Sequence, residues 1–261
     1  PTATVVPSPT PNPEPYSVVV MNAQDIALGE TLELTVSCDD TGGQIINGGY
    51  TLTSGIDLRS SQSIANGWGI TAVNNSGKKQ RISVHATCLI DTNLKLKFHS
   101  EEVSAEPNAI TPFEIESSSP IGMLGYQLDS AGDLKLQLLN ASGNTGSFEI
   151  HNRSNKELNL NIQAIAFTNS SYGFFKSFSK KDNLKAGESR QINLMCNQGI
   201  AVGSNYANPN NLPITISRPT LNGWLYEVTN NTGQAIEFNT ELICIDQSFD
   251  SIQPIIERQF F

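Results

Sequence analysis

Polar and apolar residues alternate with a period of two along much of the chain. Thr31-Leu32-Glu33-Leu34-Thr35-Val36, Arg81-Ile82-Ser83-Val84-His85-Ala86 and Asn159-Leu160-Asn161-Ile162-Gln163-Ala164 each put every second side chain on one face. Successive side chains of an extended chain point to opposite sides, so this pattern predicts strands with one face on a core. No long stretch carries the 3.6-residue period of an amphipathic helix. Asn-Asn-Ser-Gly at 74–77 and Asn-Asn-Thr-Gly at 230–233 can supply positive φ. Each predicts a hairpin: Trp68 to Val73 with Lys79 to Cys88, and Trp224 to Thr229 with Ala235 to Ile245.

The pattern repeats. Glu30 stands eight residues before Cys38, and Glu188 eight before Cys196. From Trp68 and Trp224 the spacing is identical: Asn74, Asn75 and Gly77 answer to Asn230, Asn231 and Gly233, and Cys88 answers to Cys244 at twenty residues. A degenerate middle copy has Gly125-Tyr126 where the first has Gly49-Tyr50, Gly146 in the Trp place and Ala166 in the second Cys place. Self-similarity of this kind marks a repeated structural unit. It divides the chain into a Pro/Thr-rich extension (1–15), a first module (16–93), a cysteine-free second module (94–169), a connector (170–182), a third module (183–249) and a tail (250–261). The fold class expected is all-β: three tandem Ig-like or jelly-roll-like β-sandwich modules after the extension.

The four cysteines form two equally spaced pairs and predict disulfides Cys38 to Cys88 and Cys196 to Cys244, each closing one module. A four-cysteine zinc site would need close Cys-x2-4-Cys knuckles, which the chain lacks. Trp68 and Trp224 share a repeat position; as ligand aromatics they would form a sugar platform, as core aromatics they would pack beside the disulfides, and their loss together with the cysteines in the middle copy favours the core. Tyr50, Tyr126 and Tyr206 recur as well and are read as structural. His85, on the polar phase of its strand, is expected to be exposed and inert. Asp39-Asp40 and Asp129 with Asp133 do not follow a calcium-loop spacing and read as turn carboxylates. Asn74, Asn140, Asn152, Asn169 and Asn230 head N-x-Ser/Thr triplets, acceptors for glycans in a secreted chain, though such triplets are no more frequent than this Asn-, Ser- and Thr-rich composition produces.

Composition narrows the partners. The 261 residues carry a net charge of -9, from 16 Lys plus Arg against 25 Asp plus Glu, which offers no electrostatic footprint for nucleic acid. No apolar run reaches the length of a bilayer span. No nucleophile with a base, paired-carboxylate motif or metal cluster is visible, so neither an enzyme nor a cofactor nor a metal is expected. Paired cysteines point to an oxidising, extracellular or cell-surface location.

With the Gly-Tyr turn, the Asn-Gly-Trp, the Asn-Asn-x-Gly hairpin and the paired cysteines in view, the chain resembles the tandem disulfide-bridged β-modules of secreted bacterial surface proteins that follow a Thr/Pro-rich stalk. The resemblance covers about residues 17 to 247 and implies an extracellular structural or adhesive role. The leading expectation is a structural subunit of an extracellular filament or surface layer. It would self-associate through its N-terminal segment, with Tyr16, Val18, Val19 and Val20 adding as a strand to a neighbouring copy. The alternative is a secreted adhesion or carbohydrate-binding module on a surface stalk, with glycans as partners.

Overall fold

A computed structural model describes residues 16–91, 93–128, 134–168, 175–197, 199–208, 210–245 and 258–259. The first run of strands is β1 (Tyr16–Ile26), β2 (Thr31–Ser37), β3 (Gln44–Thr51), β4 (Ile56–Ile64), β5 (Gly67–Asn74) and β6 (Gln80–Ile90). The second is β7 (Leu96–Ala105), β8 (Ala109–Glu116), β9 (Ile121–Leu128), β10 (Leu134–Ser142), β11 (Thr145–Asn152) and β12 (Leu158–Phe167). The third is β13 (Phe175–Leu184), β14 (Ser189–Met195), β15 (Ile200–Ala207), β16 (Ile214–Thr220), β17 (Gly223–Thr229) and β18 (Ile236–Ile245). A two-residue strand, β19 (Arg258–Gln259), follows. Apart from a single 3-10 turn at Asp39–Thr41, the described secondary structure is all strand. The two hairpins read from the Asn-Asn-x-Gly turns are β5–β6 and β17–β18.

Strands of equal rank make equal pairs. β6 lies between β1 and β3, β12 between β7 and β9, and β18 between β13 and β15. Likewise β5 lies between β2 and β4, β11 between β8 and β10, and β17 between β14 and β16. These six triplets join end to end into three open antiparallel sheets, through β4 on β9, β10 on β15 and β16 on β3. Each sheet therefore takes three strands from each of two runs, one of them with β19 added parallel to β1, and the three sheets form a closed cycle. The bulges repeat too. One residue is extruded at Ile46, Gly122 and Val202 in the central strands, and one at Arg59, Gln137 and Thr215 in the strands that meet them. A bulge bends a strand and raises its twist, so these six bend the sheets beside each seam.

The core is one continuous apolar cluster drawn from all three runs. Trp68 and Trp224 lie inside it at 1% exposure. Their indole Nε1 groups donate to Ser61 Oγ (3.0 Å) and Ser217 Oγ (3.2 Å). Both indoles are thus core residues, and the sugar-platform reading of them falls. The disulfides are Cys38–Cys88 and Cys196–Cys244, bridging sequence separations of 50 and 48. In the middle run Ser117 and Ala166 occupy these places: Ser117 N donates to Asn144 O as Cys38 N does to Asn66 O and Cys196 N to Asn222 O.

Two expectations change. Val18, Val19 and Val20 are buried, and β1 pairs over its whole length with β6, from Tyr16 opposite Ile90 to Ile26 opposite Gln80. The strand assigned to a neighbouring copy is therefore part of this chain's own sheet, because its apolar face is needed there; of the four residues assigned to that contact, Tyr16 alone is exposed. The connector expected at 170–182 is largely β13, paired with β18 from Phe175 to Leu184. Its Lys180 and Lys181 disguise an edge strand, where charged side chains suit the free edge.

Candidate functional site

The three central strands β3, β9 and β15 carry Gly49-Tyr50, Gly125-Tyr126 and Asn205-Tyr206 in the same register. Tyr50 lies opposite Ser217, Tyr126 opposite Ser61 and Tyr206 opposite Leu139, so every seam between runs is made at a tyrosine. On one side of this level the central strands close on each other. A Cβ on Gly203 would lie 1.8 Å from Gly122 O, and the buried Asn47 Nδ2 donates to Ala201 O at 2.7 Å. On the other side they diverge around a cavity of about 570 Å³, lined by residues of all three runs, with Tyr50, Tyr126 and Tyr206 among them. That volume falls within the ~300 to 1,000 Å³ of small-molecule sites.

The walls are built in layers. Beside the tyrosines stand Leu58, Leu136 and Ile214, which hold equivalent places before the bulges of β4, β10 and β16. One step outward the three-fold pattern breaks into Asp57, Lys135 and Pro213. Asp57 pairs with Arg59 at 2.9 Å and, across the first seam, with Lys135 at 3.5 Å. Two polar atoms of lining residues, Thr53 Oγ1 and Asn211 Oδ1, are buried without a hydrogen-bond partner. Asn211 also sits at φ 52, in the left-handed region that a non-glycine residue enters at a cost.

Burial raises the phenol of Tyr50 well above its ordinary value. Burial does the same to Tyr126, with Tyr50 and Asp57 adding to the shift, and to Tyr206, with Tyr50 and Tyr126 adding to it. All three phenols therefore remain protonated near neutrality. Protonated phenols can donate and accept hydrogen bonds but are poor nucleophiles and bases. Tyr226, by contrast, spends its hydroxyl on Ser204 Oγ at 2.8 Å. The pocket was hidden by its parts: each tyrosine alone reads as core. The available signal was that tyrosine persists in all three copies while Trp and Cys do not.

The N-x-Ser/Thr triplets of the hairpins have another use. Asn74, Asn152 and Asn230 are fully buried. Each Nδ2 donates twice, to the last residue of the first strand of its run (Ile26, Ala105, Leu184) and across its own turn (Lys78, Lys156, Gln234). Each Oδ1 accepts from the backbone and hydroxyl of Ser76, Ser154 or Thr232. A glycan on these amides would remove a donor and have no exit, so the glycosylation expectation is overturned at these three sites. Asn140 is half-buried, accepting from Asn205 Nδ2 at 3.0 Å, and Asn169 lies outside the described residues. Asn152→Ala is expected to cost about 2 to 4 kcal/mol, since it strands the buried carbonyl of Ala105 and unties the turn that Ser154 closes on Asn152 Oδ1. Denaturant titration checks the value, with the exposed Asn75→Ala as a control near zero. Peptide mass spectrometry of secreted protein is expected to find Asn74, Asn152 and Asn230 bare.

His85 is buried rather than exposed, its Nε2 sharing hydrogen bonds with Ser83 (2.9 Å) and Thr51 (3.3 Å). Burial, with Arg218 nearby, lowers its pKa to about 3, so it is neutral in the fold. Asp39 stays at the surface, accepting from Ser37 and Asn66; Asp129 and Asp133 lie outside the described residues. Among the described residues no three His, Cys, Asp or Glu side chains stand together as a metal set, and no helix is long and apolar enough to cross a membrane. No protein-family model matches the chain, and no curated protein sequence matches it.

Proposed function

We propose that the protein is a secreted, non-catalytic binding module of the adhesive kind, in which a closed three-sheet scaffold presents one small-ligand pocket on its axis. One observation carries this reading: three tyrosines from three repeated positions converge on a single cavity with no hydrogen bond spent among the described residues. The three hydroxyls are not occluded in the core but open on the cavity, where they stand ready to exchange hydrogen bonds with a ligand. The two disulfides are compatible with an oxidising, extracellular setting. The Pro/Thr-rich residues 1–15 suit a stalk that holds the module off a surface, in keeping with the resemblance to bacterial surface modules. The filament reading ranks second because the strand it assigned to polymerisation is used at home.

Thermal-shift measurements with separate sets of amino acids, nucleosides, polyols and monosaccharides test the reading. A ligand at ten times its Kd stabilises the fold by about 1.4 kcal/mol. At least one set is expected to raise Tm for the native chain and to do so less for Tyr126→Phe. That variant loses an unbonded hydroxyl and keeps the shape of the ring, so its own stability is expected to be unchanged or slightly higher. No shift with any set at millimolar concentrations would sink the reading.

A further inference from the structure

We propose that the axial pocket takes the terminal residue of a neutral saccharide, one pyranose ring per chain; this rests on the binding-module reading above and names its ligand. The pocket closes at one end, where Gly203 packs on Gly122 and Asn47 bonds to Ala201. A chain passing through would have no exit, so the ligand enters end first. Three tyrosines at equivalent places around an axis offer the cavity their hydroxyls, while their rings stay packed in the core, as Tyr206 does on Phe238. A pyranose suits such a site: its C–H faces pack on an apolar wall, while its hydroxyls radiate around its rim and meet a ring of neutral hydroxyls and amides. Leu58, Leu136 and Ile214 extend the apolar wall beside the tyrosines.

The polar groups match a ligand that donates and accepts at every corner. Asn211 Oδ1 is a buried acceptor without a donor, Thr53 Oγ1 is a buried hydroxyl without a partner, and the three phenols can serve either role. Charge argues against an ionic ligand. Asp57 is already matched by Arg59 and Lys135, Arg153 at the rim is engaged with neighbours of its own, and the phenols stay neutral. Neither a carboxylate nor an ammonium group finds an unmatched partner there. A site built to hydrogen-bond hydroxyls discriminates strongly against analogues that lack them, because its own buried groups are then left unpaired.

The test uses the full chain and NMR titration with glucose, galactose, mannose and N-acetylglucosamine, alongside adenosine, choline and a cyclodextrin, which is a ring of glucose units with no chain end. At least one monosaccharide is expected to bind, with Tyr126→Phe and Thr53→Val each weakening it about tenfold, equivalent to roughly 1.4 kcal/mol per lost contact. The cyclodextrin is expected not to bind. Binding of adenosine or choline alone, with the same sensitivity to Tyr126→Phe, would overturn the saccharide while leaving the binding module standing. Binding of the cyclodextrin as tightly as the monosaccharide would overturn the end-first entry. Monosaccharide binding that both variants leave intact would place the sugar elsewhere and overturn the site.

Discussion

Heated in its oxidised form, the protein is expected to unfold in one cooperative transition. Three tandem modules with separate cores would melt in up to three. Here each sheet runs through two segments, and the apolar cluster is continuous through all three, so no segment can leave without exposing the edges and the core of its neighbours. At ~0.7 kcal/mol per residue near 60 °C, roughly 220 residues melting together give an enthalpy on the order of 150 kcal/mol, and an independent third would give about 50. Agreement of the calorimetric and van't Hoff enthalpies at the larger value checks this. The disulfides act on the same transition. Each closes a loop of about 50 residues and stabilises by about 4 kcal/mol in the chain-entropy model. Replacing all four cysteines with alanine should then remove about 8 kcal/mol and lower Tm by on the order of 20 °C, at 2 to 4 °C per kcal/mol for a chain of this size. Resolved transitions in the oxidised protein, or loss of only one segment on removing one bridge, would show that the segments fold independently.

Much of this architecture is legible in the residues. The alternation at Thr31–Val36 and Asn159–Ala164 finds β2 and β12, the Asn-Asn-x-Gly turns find two hairpins, and the matched spacings pair the cysteines correctly. The cyclic arrangement is not legible, for a physical reason. Each seam is only two residue pairs long, such as Ser60 with Gln127 and Ser61 with Tyr126, and has no periodic signature of its own. What permits the seams is small residues: a Cβ on Gly49 would lie 2.0 Å from Ser217 O. Strand propensity identifies β1 but cannot name its partner, so Val18 to Val20 read equally well as a strand for a neighbour. The Asn triplets fail for a different reason, since one three-residue pattern serves both a glycan acceptor and a buried turn, and only burial separates the two. The tyrosines fall between these cases. Their repetition is visible, but that they share one cavity depends on the seams.

The middle segment shows how the core tolerates loss of its largest side chain, and this can be rebuilt in the first. Trp68 lies against Gly48, where a Cβ would come within 2.1 Å of the indole Cγ. In the middle segment the equivalent pair is reversed: Gly146 takes the place of Trp68 and Leu124 that of Gly48, with the Leu124 side chain 2.5 Å from where a Cβ on Gly146 would stand. Leu139 likewise replaces Ser61, the acceptor that the missing indole no longer needs. Trp68→Gly alone is expected to cost about 5 kcal/mol, from the cavity and the orphaned Ser61 hydroxyl. Gly48→Leu alone should cost about 3 kcal/mol or more, because leucine and the indole cannot share the space. Together the two are expected to cost less than their sum by about 2 to 3 kcal/mol, since the new leucine fills the volume the indole leaves. Adding Ser61→Leu should recover more, by removing a buried hydroxyl without a donor. Denaturant midpoints for the single, double and triple variants at an unchanged m-value provide the measurement. Strict additivity would mean that Leu124 does not compensate for the missing tryptophan and that the middle segment is held by other contacts.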